Sequence, residues 1–473
     1  MKKKVVILLL LVSVGSVLAQ AQTANQLTPE QKSWLSKANR REKNGWIYLH
    51  IEGVPKERGF QHGYLLAKEI KESLRILGEV WHYQTAMDWQ WLVKEGGKLF
   101  IPAIDAENLG EINGMVEGMK TAGVESSREE MVAFNGYMEL LWSWWPTVKD
   151  KISPNSPEPF RDGCSSFIAT GSYTDNGEIV LAHNSWFGYY FPQFNLVVDI
   201  LPEKGNHLIW QSSPGFIHSG SDFFVTSAGL VGAETTMADF FPFDPKGTPE
   251  FARMRHATQY ATSIDQWCEM MKVGNNGGYA NAWLIGDLHS NEIARLELGL
   301  NYIGFERKRD GYFAGANIAQ DLKILRFETR TKETDIKMSG CARMVRWYQL
   351  LEGNKGKINI ELAKEFLSDH YDTWLKKDYP ASRSLCGHFE LDPDIRTPGV
   401  EEPFTPWGSL DGKVLDSRLA RQMSFAARFG STCGMPFSST VFLAEHPQFK
   451  WMTGLIKDRP TQPWTIFKAG ETK

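Results

Sequence analysis

Phe160–Thr170 reads FRDGCSSFIAT, a cysteine directly behind a glycine and at the head of a run with the composition of a β-strand. The residues before it, Pro146–Gly163 (PTVKDKISPNSPEPFRDG), carry prolines at 146, 154, 157 and 159. Each proline lacks an amide hydrogen and restricts its predecessor, so this stretch is expected to be an exposed, non-helical loop. A thiol becomes a nucleophile when a base takes its proton. Were the Gly163–Cys164 bond cut, the new α-amine, with an ordinary pKa near ~8, would lie within reach of its own thiol. Cys164 would then hold nucleophile and base together. Glycine before the cut suits this scheme, because its carbonyl is open to approach and its backbone tolerates the strained geometry of an N-to-S acyl shift. The competing reading makes Cys164 a small buried strand residue or a disulfide partner.

Outward from this junction the texture differs on the two sides. Upstream, Trp46, Tyr48 and Ile51 in GWIYLHIEG suggest one short strand, and helical patterns follow. Leu66, Ile70, Leu74 and Leu77 recur at helical spacing within Arg58–Trp81. Ile112, Met115, Val116 and Met119 share a face of a second helix that stops near Gly123. Ser127–Glu130 (SREE) is a capping box before MVAFNGYMELLWSWW. Downstream, CSSFIAT, EIVLAHNSW, NLVVDIL, HLIWQSS, FFVTSAGLVGAE and ANAWLIGDL are short β-rich runs punctuated by Gly, Pro, Asn and Asp. Helices are expected again around Phe251–Met271, Met344–Leu351 and Leu362–Leu367.

The division this suggests is a signal peptide over 1–21, a largely helical segment over 22–163 ending in the proline-rich loop, and an α+β segment over 164–473 built on antiparallel sheet. The leader reading rests on Lys2, Lys3 and Lys4, the apolar run Val5–Val12 and the small-residue pattern Ala19-Gln20-Ala21. An exported protein, periplasmic or secreted, is the expectation. No other apolar stretch approaches the roughly 18 residues of a membrane-spanning helix.

The 52 lysines and arginines against 56 acids give −4, and loss of the three leader lysines leaves 49 against 56, or −7. That balance carries no nucleic-acid footprint. Five cysteines are an odd number for a compartment where thiols pair, so at least one is free or paired between molecules. Disulfides among Cys268, Cys341, Cys386 and Cys433 stay open, their connectivity unreadable. There is no CxxC, no HExxH and no His/Cys cluster at zinc-ligand intervals. There is also no GxSxG elbow, Gly-rich phosphate loop or EF-hand. No metal and no cofactor is therefore expected. Seventeen tryptophans could line an apolar ligand site, and ordinary core and surface packing is the favoured reading.

A two-residue turn at Asn176-Gly177 would set Cys164 opposite Tyr189 and pair His183 with Thr170, too far along the strand to reach the thiol. An even register shift would bring His183 or Ser185 opposite Cys164, and an odd one Asn184 and Trp186. His183 is a candidate base or orienter for Cys164, or a structural histidine. Asn184 and Asn281 are candidate amide donors to an oxyanion, or turn residues.

GCSSF with LAHNSW, then SSPGFIHSGSDFFVTSAGLVGAETT (Ser212–Thr236), then NNGGYANAWLIGDL (Asn275–Leu288) resemble the successive signatures of the phospholipase B-like proteins. GVPKERGFQHGYLLAKEI and EINGMVEGMKTAGV, ahead of the Gly-Cys junction, are similar to the isopenicillin-N acyltransferase family of autoproteolytic acyltransferases. The similarity spans roughly Gly53–Asp321, and less clearly PWGSLDGKVLDS (Pro406–Ser417). The resemblance implies a four-layer αββα N-terminal-nucleophile hydrolase sandwich of antiparallel sheets, self-cleavage between Gly163 and Cys164, and acyl chemistry through a thioester on Cys164. It carries Asn281 over as the oxyanion-holding amide and His183 as a polar helper. Asn184 and Trp186 would line the site, and Glu234 and Thr235, with Thr236, would shape the pocket. At Trp186 the sequence departs from the acyltransferases, which tend to have an acidic residue there.

The expectation is an exported, self-cleaving cysteine hydrolase acting on a linear amide bond of a small N-acyl compound, its fragments staying associated. Alternatives are a phospholipase B-like acyl-ester hydrolase or an acyltransferase, an uncut enzyme with a Cys164–His183 dyad, and a secreted binding protein in which Cys164 is structural.

Overall fold

The computed structural model describes residues 26–156, 163–191, 195–220, 223–397, 400 and 402–471. The leader over 1–21 and the Pro157–Asp162 part of the proline-rich loop lie outside the described residues. The strands are β1 (Asn39–Lys43), β2 (Trp46–Gly53), β3 (Ser165–Thr170), β4 (Val180–Gly188), β5 (Leu196–Pro202), β6 (Leu208–Ser212), β7 (Phe224–Thr226), β8 (Leu230–Thr236) and β9 (Asn281–Asp287). They continue with β10 (Glu292–Leu298), β11 (Ile303–Lys308), β12 (Gly311–Gly315), β13 (Tyr371–Asp372), β14 (Lys377–Asp378), β15 (Trp407–Asp416), β16 (Ser424–Phe429) and β17 (Thr465–Lys468).

Nine strands form one sheet in the order β1-β2-β5-β6-β7-β8-β9-β10-β11, and six form a second in the order β12-β3-β4-β15-β16-β17. Every pairing within these sheets is antiparallel except β2 with β5, which is parallel. Strand alternation places Trp46, Val197, Val231 and Leu284 of the first sheet against Ile168, Leu181, Leu415 and Phe425 of the second in one buried cluster. The opposite face of the nine-stranded sheet (Leu49, Val198, Trp210, Trp283) is covered by helices Ala67–Thr85, Ala106–Thr121, Arg128–Asn135 and Ile264–Lys272. The outer face of the six-stranded sheet (Phe167, Ala182, Val414) meets Trp347 of helix Ser339–Gly353 and Phe366 of helix Ile360–Leu367. Helices, sheet, sheet, helices: the chain forms the expected αββα sandwich.

Three local expectations change. The helix read over Arg58–Trp81 is two, Pro55–Leu65 and Ala67–Thr85, breaking at the buried Leu66 so that the first can lie on helix Ala106–Thr121. The proline-rich stretch starts helical: Pro146 lies in helix Trp145–Ile152, which continues directly from a π-helical turn at Leu140–Trp144. The third change is register. Residues 171–179 make a broader connection than a two-residue turn, with a 3₁₀ turn at Gly171–Tyr173 and the Gly171 amide donating to the Gly177 carbonyl at 3.1 Å. Ser165 consequently pairs with Asn184 and Ser166 with His183. The Cys164–Tyr189 and His183–Thr170 pairings do not form, and the shift is by four residues, an even number.

Candidate functional site

Carried one residue beyond its first pair, the β3–β4 register sets Ser185 beside Cys164. On β15, Asp411 pairs with Ser185 and Lys413 with His183. Cys164, Ser185 and Asp411 therefore make one row across three strands, and Ser166, His183 and Lys413 the next. All six are buried. The Lys413 ammonium donates to the Ser185 hydroxyl at 2.5 Å and pairs with the Asp411 carboxylate.

Glu234 comes to the thiol from β8, its Oε1 3.8 Å from Cys164 Sγ. It also accepts from the Tyr279 hydroxyl at 3.0 Å, while Thr236 Oγ1 lies 3.5 Å from its other oxygen. Sγ, a carboxylate oxygen of Glu234 and a ring nitrogen of His183 lie within 4.8 Å of one another. Burial pushes the Glu234 carboxyl up to about 8. Burial, then the Glu234 charge, holds the Cys164 thiol well above its ordinary range, opposed by the Trp186 amide, which donates to the sulfur, and by Lys413. His183 is held neutral, first by burial and then by Lys413. Neither of its ring nitrogens has a hydrogen-bond partner among the described residues, and neither amide atom of Asn281 has one. A buried polar group without a partner is costly, so both stand ready for a ligand's donors and acceptors.

Asn281 heads β9 and pairs with Thr236, whose hydroxyl lies 3.5 Å from where a Cβ on Gly163 would sit. Thr235, on the same strand, is buried against Gly315, where a Cβ would come within 2.3 Å of its hydroxyl. Asn184 and Trp186, of opposite parity to His183, belong to the other face of β4. Asn184 Oδ1 accepts the Ser165 amide at 3.0 Å and its Nδ2 donates to the Leu385 carbonyl at 2.7 Å, fixing the backbone next to the thiol. The Trp186 ring lies 4.1 Å from the Arg343 guanidinium and edge-on to Phe389.

Arg343 was not legible as a site residue. From helix Ser339–Gly353 it donates to the Cys164 carbonyl at 3.0 Å, the Ser165 hydroxyl at 2.9 Å and Asn317 Oδ1 at 2.8 Å. Asp411, Lys413 and Tyr279 were missed as well, although all three lie in stretches that carry the family resemblance. A π-helical turn at Leu140–Trp144 borders the site, a distortion frequent at functional sites. Its Trp142 packs on Phe187 and Tyr279, and its Ser143 hydroxyl accepts the Tyr279 amide at 3.1 Å.

The arrangement offers a nucleophile, a carboxyl able to take its proton, neutral amides, and a buried cation. Among the described residues, no helix is long and apolar enough to cross a membrane.

Comparison with known proteins bears out the first resemblance. Residues 107–303 match the family model for phospholipase B. Phospholipase B-like 1 of Homo sapiens is 24% identical over 366 residues, 69% of this chain and 64% of its own. Phospholipase B of Crotalus adamanteus is 27% identical over 312 residues, 59% of this chain and 54% of its own. The chain thus spans less than two thirds of these relatives' length. A solved variant of conjugated bile acid hydrolase from Clostridium perfringens aligns over 58% of this chain and 83% of its own, with 10% identity and a TM-score of 0.28. The fold described above rests on the two sheets and their clusters, apart from that likeness.

Proposed function

We propose that this chain, related to the phospholipase B-like proteins, is an exported N-terminal-nucleophile cysteine hydrolase that cuts itself between Gly163 and Cys164 and then hydrolyses a linear amide of an N-acyl compound. The observation that carries the reading is the buried Cys164 thiol behind a glycine, 3.8 Å from a Glu234 carboxyl raised to about 8. A base of that pKa is matched to work near neutrality.

In the first step Glu234 takes the thiol proton, Sγ attacks the Gly163 carbonyl carbon, and the Gly163–Cys164 C–N bond breaks as Glu234 returns that proton to the leaving nitrogen, giving a thioester and a free α-amine. Water hydrolyses the thioester, giving a Gly163 carboxylate and the free thiol. In each later turnover the thiol passes its proton to the α-amine and attacks the substrate carbonyl. The α-ammonium protonates the leaving amine, and water releases the acid. Asn281 donates an amide hydrogen to the oxyanion, and Arg343 and Asn184 hold the Cys164 backbone in place. The amide reading is preferred to an ester because a protonated α-amine supplies the acid that an amine leaving group requires. Ester hydrolysis and acyl transfer use the same thioester.

The test is intact mass and N-terminal sequencing of the purified chain beside Cys164→Ala. A fragment beginning at Cys164 in the parent and missing from the variant is expected. A whole chain with an inert Cys164 overturns the mechanism and favours a binding protein. The closeness of Cys164 and His183, within 4.8 Å, supports one second reading, an uncut Cys–His dyad. It is distinguished by turnover in a whole chain that His183→Ala abolishes.

A further inference from the structure

On the outer side of the six-stranded sheet a second cluster gathers His370, Cys386, His388 and Cys433, with one ligand atom from each lying within 4.8 Å of the others. We propose that these four side chains form a tetrahedral Cys₂His₂ site for a zinc-class divalent metal.

Spacing supports the proposal first. His388 Nε2 lies 3.4 Å from Cys386 Sγ and 3.5 Å from Cys433 Sγ. Zinc bonds of ~2.3 Å to sulfur and ~2.0 Å to nitrogen, opened to a tetrahedral angle, separate S and N by about 3.5 Å. The surroundings are those of a ligand set. His388 Nδ1 is 2.8 Å from Glu390 Oε1, which fixes the tautomer with Nε2 bare and turned to the sulfurs. Glu390 is in turn held by the Tyr189 hydroxyl at 2.8 Å. The Met435 amide points at Cys433 Sγ from 3.3 Å, a donor that suits a thiolate, and the Thr432 hydroxyl, which donates to the Leu367 carbonyl at 2.5 Å, lies 3.1 Å from Cys386 Sγ. His370 Nε2 is buried with no partner among the described residues, and its ring centre is 5.2 Å from that of His388. Charge balances too. Binding M²⁺ releases two thiol protons, and two thiolates with two neutral imidazoles cancel the ion's charge, as a buried site requires.

The site would join three pieces of chain: the residues after helix Ile360–Leu367, the Cys386–His388 loop, and the turn after β16. Leu385, one residue before Cys386, is the acceptor for Asn184, which itself holds the Ser165 amide. The metal would thereby brace the backbone beside Cys164 without touching substrate. Sequence intervals of 15, 1 and 44 residues between the ligands match no zinc motif.

The experiment uses the full chain, gel-filtered and assayed for metal by mass spectrometry. One zinc per chain is expected, lost in Cys386→Ser and Cys433→Ser, retained in Cys164→Ala, and bound about 10- to 100-fold more weakly in Glu390→Gln. Cobalt(II) loaded into the chelator-treated parent should give the intense visible absorption of tetrahedral thiolate coordination. A parent that takes up neither metal overturns the proposal. So does a Cys386–Cys433 disulfide in its peptide map, or loss of the metal in Cys164→Ala, which would place the ion at the nucleophile. The parent alone decides if a serine variant fails to fold.

Discussion

Glu234 and Cys164 cannot both be ionised in one buried pocket, and that conflict would make the proposed self-cleavage pH-dependent. The carboxyl, raised to about 8 mainly by burial, is protonated at neutral pH in most uncut chains. The fraction able to accept the thiol proton grows as pH rises. The rate of self-cleavage, followed by gel electrophoresis from pH 6 to 9, should climb about tenfold per unit and level off near 8. Glu234→Gln should keep the acceptor for Tyr279 but remain uncut throughout. Equal cleavage in that variant would remove Glu234 from the base role. Stability runs the other way. A carboxyl raised above its unfolded value stabilises the fold fully below the unfolded carboxylate range, and the contribution is lost as pH rises through about 8. The melting temperature of uncut Cys164→Ala should therefore fall with pH over that window, and additional Glu234→Gln should flatten the slope.

At the scale of elements, the closest helix contact is made of glycine. Gly59 and Gly63 on helix Pro55–Leu65 face Gly114 and Gly118 on helix Ala106–Thr121. A Cβ on Gly59 would fall 1.9 Å from the Glu111 carbonyl oxygen, and one on Gly114 2.1 Å from that of Lys56. Backbone atoms on both sides cannot swing away, so Gly59→Ala should cost about 3 kcal/mol. Gly110→Ala, whose Cβ would touch only Pro55 at 3.5 Å, should instead stabilise the helix by up to about 1 kcal/mol. Thermal melts of the two variants, moving in opposite directions, check the contact. Elements like these were legible because periodicity is local: the strands after Cys164 and the apolar faces of the helices announce themselves within eight to fifteen residues. Register and site assembly were not. Whether His183 reached Cys164 depended on a nine-residue connection, 171–179, that could have been wider or narrower by any step. Pro146 read as a helix breaker, yet it lies where a π-helical turn passes into helix Trp145–Ile152. Arg343 sits 179 residues from the Cys164 carbonyl it holds, and His370, Cys386 and Cys433 meet only because a helix end, a loop and the turn after β16 converge. No spacing rule sees such meetings.

For the whole molecule, a cut at Gly163–Cys164 would not separate two bodies. Residues before the cut supply β1 and β2 to the nine-stranded sheet, where β2 lies parallel to β5 over seven registered pairs from Ile47–Leu196 to Gly53–Pro202. Helices on the same side of the cut cover that sheet's outer face. Side chains lock the seam: the Tyr48 hydroxyl and His50 Nδ1 both lie 2.7 Å from Asp199 Oδ2, and the Gly470 amide reaches the same oxygen at 2.7 Å. After cleavage the two fragments should co-elute in gel filtration and part only in denaturant. That midpoint should depend on pH through His50. Burial opposes its charge, but the hydrogen bond and charge of Asp199 prevail and raise its pKa above 6.5. A histidine raised on folding gives stability that is complete below its unfolded pKa and lost as pH climbs through the folded one. The urea midpoint for fragment dissociation should thus be lower at pH 9 than at pH 6, and the difference should shrink in His50→Gln. Fragments that separate without denaturant would mean that the β2–β5 ladder does not survive the cut, and an unchanged pH difference in His50→Gln would assign the titration to another group.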